Sequence, residues 1–347
     1  MVLPQLLVGK VAAITGGLTG IGRAIALDYL RHGAQVAVNH LGVANEEPLV
    51  EALRNDAAEI VGQDELAKRL VTVPGDISLP ETGSQFVSRT VEVFGRLDVF
   101  VSNAGVCKFA EFLELEPSLL GQTVSINLSG AFYATQAAAR QMALAQSPPG
   151  GSIIGISSIS ALVGGGQQTH YTPTKAGVLS LMQSTAVALG KYGIRCNALL
   201  PGTIRTQLND EDMSNDEKRR YMEGRIPLGR LGQPRDLAGP AVFLACEELS
   251  GYVTGAQLLV DGGLFVNLQI LYAVMAVSPH TIFFSSSLKP RLSNTPSTVL
   301  LQRVQETSFP PPPTLQTGQS DPNITRRAPN ASNTTSVQGC SRSTSAV

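Results

Sequence analysis

KVAAITGGLTGIGRAIALDYLRHG (Lys10 to Gly33) decides the fold. Its first six residues form a short apolar, β-branched run of the kind found in strands covered on both faces. That run leads directly into TGGLTGIG (Thr15 to Gly22), and IGRAIALDYLRHG (21–33) then sets its apolar residues at helical spacing. Gly16, Gly20 and Gly22, with Thr19 and Ile21 between them, suit a tight turn whose backbone lies close to a pyrophosphate at a helix N-terminus. The spacing is G-x-x-x-G-x-G rather than G-x-G-x-x-G. A glycine cluster alone often does no more than turn the chain. The strand before it and the helix after it favour a nucleotide site.

Outward from this unit the same alternation continues. Further strand candidates are QVAVN (35–39), LVTV (70–73), LDVFVS (97–102), GSIIGIS (151–157), IRCNALL (194–200) and QLLVD (257–261). Helical patterns separate them: a polar one within 45–69, ETGSQFVSRTVEVFG (81–95), a long one within 117–146, AGVLSLMQSTAVALGKYG (176–193) and DLAGPAVFLACEE (236–248). Nearly all-apolar strands joined by crossover helices predict an α/β fold, a Rossmann-type doubly wound parallel sheet of about seven strands in one domain.

Composition bounds the rest. The 347 residues are 43% apolar and 15% charged, enough for a sizeable core, and the formal net charge of −1 gives no general pull toward nucleic acid or an anionic membrane. The four cysteines, Cys107, Cys196, Cys246 and Cys340, are too dispersed for a zinc site or a disulfide scaffold, so no metal is expected. No secretory leader is read at the N-terminus, and the expected location is the cytoplasm. A seam falls near residue 269: residues 1–269 carry a net charge of −5, and residues 270–347 carry +4 with 9 of the 21 prolines. The last 78 residues are expected to be a low-complexity, mostly disordered extension. LFVNLQILYAVMAV (Leu264 to Val277) is the apolar exception. It is shorter than the roughly 20 residues that span a bilayer, and reads as a packed or interface segment.

Two strand ends should point into the crevice opened by the glycine turn. Asp76 and Ile77, in GDIS, are placed to meet the adenine, and Asn103, Ala104 and Gly105, in SNAG, to line the adenosine side. Plain strand-end turns are the alternative for both. At the end of the second strand a carboxylate would select NAD and an arginine NADP. The sequence there reads Asn39, His40, Leu41, so use of both cofactors is expected. His40 is either a surface residue or a contact to the ribose.

The catalytic signal lies in SSISALVGGGQQTHYTPTK (Ser157 to Lys175). Tyr171 and Lys175 are four apart and share a helix face. Pro173 between them fits only a first turn, which puts the helix start near Thr172. An ammonium at about 4 Å would favour phenolate by up to about 4 kcal/mol, bringing Tyr171 into range as a general acid or base. Ser158 is placed to orient a substrate oxygen, and Asn127, in SINLSG, to hold a water that relays protons toward Lys175. Tyr-x-x-x-Lys alone is commonly a solvated helix face; joined to the serine and the glycine turn it points to hydride-transfer chemistry.

Together TGGLTGIG, GDIS, SNAG, Asn127, Ser158, YTPTK and PGTIRT (Pro201 to Thr206) resemble the short-chain dehydrogenase/reductase family over about residues 8–265. The resemblance implies a catalytic tetrad of Asn127, Ser158, Tyr171 and Lys175, the lysine also holding the nicotinamide ribose. It places Pro201, Gly202, Ile204 and Thr206 over the nicotinamide, and it implies a homo-oligomer, commonly a tetramer. Longer segments, among them VNHLG, PGDISLPETG, QTHYTPTKAG and GAQLLVDGGLFVNLQ, are similar to the fungal L-rhamnose 1-dehydrogenase branch of that family. That implies a small sugar substrate oxidised at its anomeric hydroxyl with NAD or NADP. The alternatives are reduction of 3-oxoacyl thioesters or other small ketones and, in another class, a cofactor-binding sensor without turnover. Substrate choice is expected from Ala161 to His170, through Gln167 and Gln168, and from a charged helical lid at Gln207 to Arg225. His170 is either a substrate contact or a structural hydrogen bond, and Cys107 either lines the pocket or is a small buried residue.

Overall fold

The computed structural model describes residues 5–267. In chain order its elements are β1 (Val11–Ile14), α1 (Gly20–Arg31), β2 (Gln35–His40), α2 (Glu47–Val61), α3 (Leu66–Arg69), β3 (Leu70–Pro74), α4 (Pro80–Phe94), β4 (Val99–Ser102) and α5 (Pro117–Val124). They continue with α6 (Ala131–Leu144), β5 (Gly151–Ile156), α7 (Thr172–Leu189), β6 (Ile194–Pro201), α8 (Asp210–Ser214), α9 (Asp216–Arg225), α10 (Arg235–Ala245), α11 (Glu247–Ser250) and β7 (Gln257–Val260). All seven runs read as strands are strands. They form one parallel sheet in the order β3-β2-β1-β4-β5-β6-β7. In register, Ala13 lies opposite both Ala37 and Phe100. The chain reverses direction across the sheet between β1 and β4, and a crevice opens beyond their carboxyl ends.

Two apolar layers cover the sheet. On one face Ile25, Tyr29 and Leu30 of α1 pack with Val242 of α10 against Ile14, Val36 and Val101. The Tyr29 hydroxyl donates to the Ala241 carbonyl at 3.1 Å and ties α1 to α10. On the other face Phe86 of α4, Met142 of α6 and Met182 of α7 pack beneath Phe100, Ile153 and Leu200. Phe86 and Phe100 are fully buried, and each such ring stabilises the fold by about 1.5–3 kcal/mol.

Three helical readings differ from the structure. The polar pattern within 45–69 is two helices, α2 closing where the Gly62 N–H donates to the Ala58 carbonyl and α3 following after a turn. The pattern at 236–248 divides at Cys246, whose extended backbone separates α10 from α11. The long pattern within 117–146 carries a π-helical turn, Ser125–Gly130, between α5 and α6. Such a turn inserts an extra residue, and here it draws the buried Asn127 side chain toward the loop after β4, where the backbone of Val106 holds it. α7, by contrast, begins at Thr172 as Pro173 requires. The low-complexity stretch 270–347, and all but the first four residues of the apolar segment Leu264 to Val277, lie outside the described residues. Among the described residues no helix is long and apolar enough to cross a membrane.

Candidate active site

The glycine turn is built by packing against the loop after β4. Thr15, the residue after β1, accepts from the N–H groups of Asn103 and Ala104 at 2.9 and 3.0 Å through its hydroxyl. The Asn103 amide donates back to the Thr15 and Gly16 carbonyls, both at 2.9 Å. Gly16 has a φ of +62°, and a Cβ there would meet the Ala104 Cα at 2.9 Å. At Gly22 a Cβ would lie 2.5 Å from both the Asn103 amide nitrogen and the Gly16 carbonyl. Glycine is therefore required at Gly16 by conformation and at Gly22 by close approach. Thr15 was not singled out from the sequence, because its role depends on a partner 88 residues away.

Next to this turn lies a cleft of about 980 Å³ at the carboxyl ends of the strands. Gly16, Thr19, Gly20, Ile21, Asn39, His40, Asp76 and Ile77 line one part of it. Asn103, Ala104, Gly105, Ser158, Tyr171, Lys175, Pro201, Gly202, Ile204 and Thr206 line the remainder. Of the residues singled out as a site, Gly22 and Asn127 stand behind the wall. Gly22 packs α1 against the loop after β4. Asn127 is 1% exposed; its amide oxygen accepts from the Val106 N–H at 2.8 Å, and its nitrogen donates to the Val106 carbonyl at 2.9 Å and the Thr174 hydroxyl at 3.3 Å. That side chain buckles α7 to the loop after β4.

Thr19, the N-cap of α1, makes no side-chain bond to the first turn, and the first turn carries no acidic residue. Its N–H groups have no acceptor within the helix, so they suit the two negative charges of a pyrophosphate. The cleft thus fits a dinucleotide.

Tyr171 sits at the N-cap of α7, with Lys175 one turn on and Ser158 just past β5. The Lys175 ammonium, 5% exposed, donates to the Ile156 carbonyl at 3.0 Å and lies 5.6 Å from the centre of the Tyr171 ring. The Ser157 hydroxyl fixes the start of the helix by donating to the Lys175 carbonyl at 2.7 Å. The electrostatics correct the sequence expectation. Burial first, and Cys107 second, push the Tyr171 phenol above the ordinary tyrosine range, while a hydrogen bond with Ser158 pulls it down. Burial also lowers Lys175 to about 8, which weakens the charge that was to favour phenolate. Desolvation is the largest cause of both shifts.

Of the two glutamines, Gln168 lines the cleft and its amide meets the Cys107 sulfur at 3.4 Å. Gln167 turns away and donates to the Glu111 carboxylate at 2.7 Å. His170 is 1% exposed, does not line the cleft, and neither ring nitrogen has a hydrogen-bond partner. From the charged segment Gln207 to Arg225 the cleft takes Gln207, Leu208, Asn209, Met213, Met222 and Arg225, and of these Arg225 alone carries a charge. Phe265, Val266 and Asn267 complete the rim, Asn267 donating to the Arg225 carbonyl at 2.8 Å.

The family described as Enoyl-(Acyl carrier protein) reductase matches residues 16–265, from the glycine turn to the cleft rim. The chain belongs to the short-chain dehydrogenase/reductase family. L-rhamnose-1-dehydrogenase of the yeast Scheffersomyces stipitis is 66% identical over 264 residues, 76% of this chain and 99% of that protein. L-rhamnose 1-dehydrogenase (NAD(P)(+)) of a Sphingomonas species is 54% identical over 265 residues, 76% of this chain and all of its own. Among solved structures, a short-chain type dehydrogenase/reductase from Mycobacterium marinum superimposes with a TM-score of 0.67 at 32% identity, covering 74% of this chain and 96% of that one. In this dehydrogenase family the cleft, the tyrosine and the lysine have one evident use, the oxidation or reduction of a carbon–oxygen bond.

Proposed function

We propose that this short-chain dehydrogenase oxidises L-rhamnose at its anomeric carbon to the lactone, with NAD or NADP as oxidant. The observation that carries the reading is the 66% identity that extends over 99% of a relative bearing that name, with Ser158, Tyr171 and Lys175 gathered in one cleft.

Ser158, whose oxygen is fixed by the Ser160 N–H at 3.0 Å, steadies the C1 oxygen of the sugar. Tyr171 accepts the proton of that hydroxyl as the C–O bond gains its second bond. When bound, the oxidised dinucleotide supplies the acceptor for the C1 hydride and a positive ring charge that favours phenolate. Lys175 orients the ribose beside the tyrosine and offers a proton path from it. Asn127 acts through the Val106 backbone, holding the loop that carries Gly105 against Lys175. Gln168 and Cys107, beside the tyrosine, face the sugar hydroxyls.

Catalysis in this reading belongs to residues 1–269, in the cytoplasm. The enzyme assembles as a homotetramer through the outer face of α6 and α7, where Phe132 is 45% exposed and Val187 88% exposed. Light scattering that gives a monomer mass would remove that part. The main test offers purified protein L-rhamnose with NAD or NADP and follows absorbance of the reduced nicotinamide. Product with either cofactor supports the assignment, and none with both defeats it.

A further inference from the structure

The end of β2 holds a carboxylate that the order of residues conceals. Asn39, His40 and Leu41 include no acid, but a 3-10 turn at Ala44–Glu46 folds the chain back on itself. Glu46 then lies over His40, with Nδ1 and Oε2 3.0 Å apart, and the same oxygen accepts from the Gly42 N–H at 2.7 Å. Both side chains are largely buried, 11% and 21% exposed, and both line the cleft beside Asn39, Gly75 and Asp76. Asn39 has its amide N–H groups engaged by the fold, where they donate to the carbonyls of His40, Val73 and Gly75, and it carries no charge to select between cofactors.

Hydrogen bonds from His40 and from the backbone after it hold the Glu46 carboxyl below the usual carboxylate range against the effect of burial. The side chain is therefore an anion at neutral pH, fixed at the strand end where the ribose of a bound dinucleotide comes to lie. Lys175 and Arg225 are the other basic residues of the cleft wall, and they belong to α7 and α9 rather than to the β2 side.

We infer that Glu46 is the residue that sets cofactor preference, accepting hydrogen bonds from the vicinal hydroxyls of the adenosine ribose and repelling a phosphate at the 2′ position. His40 anchors it. The inference rests on the dinucleotide reading of the cleft and deepens it from use of either cofactor to preference for the unphosphorylated one. A ribose diol offers two O–H donors to a carboxylate, whereas a phosphate offers only negative charge and acceptors. Among the described residues the β2 side of the cleft supplies no arginine or lysine to offset the Glu46 charge.

The test measures dissociation constants of NADH and NADPH by fluorescence titration of the full chain, with no sugar present. Wild type is expected to bind NADH at least tenfold more tightly than NADPH. Glu46→Gln keeps the shape but removes the charge, and is expected to narrow that ratio at least tenfold, mostly through tighter NADPH binding. Glu46→Ala serves as a second variant with the same expectation. A ratio that stays within twofold of wild type in either folded variant overturns the inference, as does a wild type that binds both equally. Because no sugar enters the titration, a shifted ratio upholds the selector even if L-rhamnose proves not to be the substrate. Failure of wild type to bind either dinucleotide overturns both readings.

Discussion

Gly22→Ala is the most searching single change in the cofactor turn. The new methyl would lie 2.5 Å from the Asn103 amide nitrogen, 2.5 Å from the Gly16 carbonyl and 3.0 Å from the Gly17 Cα. Two of those neighbours are backbone and cannot swing aside, so the local overpacking costs about 1–3 kcal/mol. If Asn103 is displaced, its two 2.9 Å bonds to the Thr15 and Gly16 carbonyls are lost, at about 1 kcal/mol each. Alanine returns a little under about 1 kcal/mol through its better helix propensity. The net loss is about 2–4 kcal/mol, or a fall in Tm of roughly 5–15 °C for a domain of this size. Affinity for NADH should fall at least tenfold, because the turn and the first N–H groups of α1 move together. Thermal melts with and without NADH measure both effects. Gly121→Ala, in α5 with nothing near its added methyl, is the control and should leave the melt unchanged or slightly raised. A Gly22→Ala protein that melts within 2 °C of wild type and binds NADH normally would refute the close-approach argument.

Two further changes test the chemistry. Tyr171→Phe should lower kcat by about 10²–10⁴-fold or more while NADH affinity stays within twofold, since the hydroxyl moves a proton and the ring wall remains; near-normal turnover would remove the tyrosine from the mechanism. Lys175 titrates at about 8 in the fold against 10.5 for an ordinary lysine, so from pH 8 to 10.5 the unfolded chain holds more protons and stability rises with pH, by about 3 kcal/mol across the window. Lys175→Met should abolish that rise in urea titrations along with activity, and equal slopes in the two proteins would show that burial does not depress the lysine.

The sheet was legible because each strand is a local apolar run, and a run buried on both faces needs no distant partner to be recognised. The start of α7 was legible for a comparable reason, since Pro173 is tolerated only in a first turn. Tyr171, Lys175, Ser158 and the glycine turn followed from spacing. What escaped depends on contacts between distant segments or on solvent exclusion. The π-turn exists because Asn127 reaches Val106, and Thr15 matters because Asn103 and Ala104 return to it. Glu46 joins the β2 strand end only after a six-residue fold-back. The expected pull of Lys175 on Tyr171 took no account of burial, and desolvation is the largest cause of the shift at each of the two groups.

The rim formed by Phe265, Val266 and Asn267 has a practical corollary. In a variant shortened to Asn267, peptide joined at the new end would start at the rim of the cleft. An affinity handle appended there would begin its path at that doorway. Such shortened variants, when meant for kinetics, are better tagged at the other terminus.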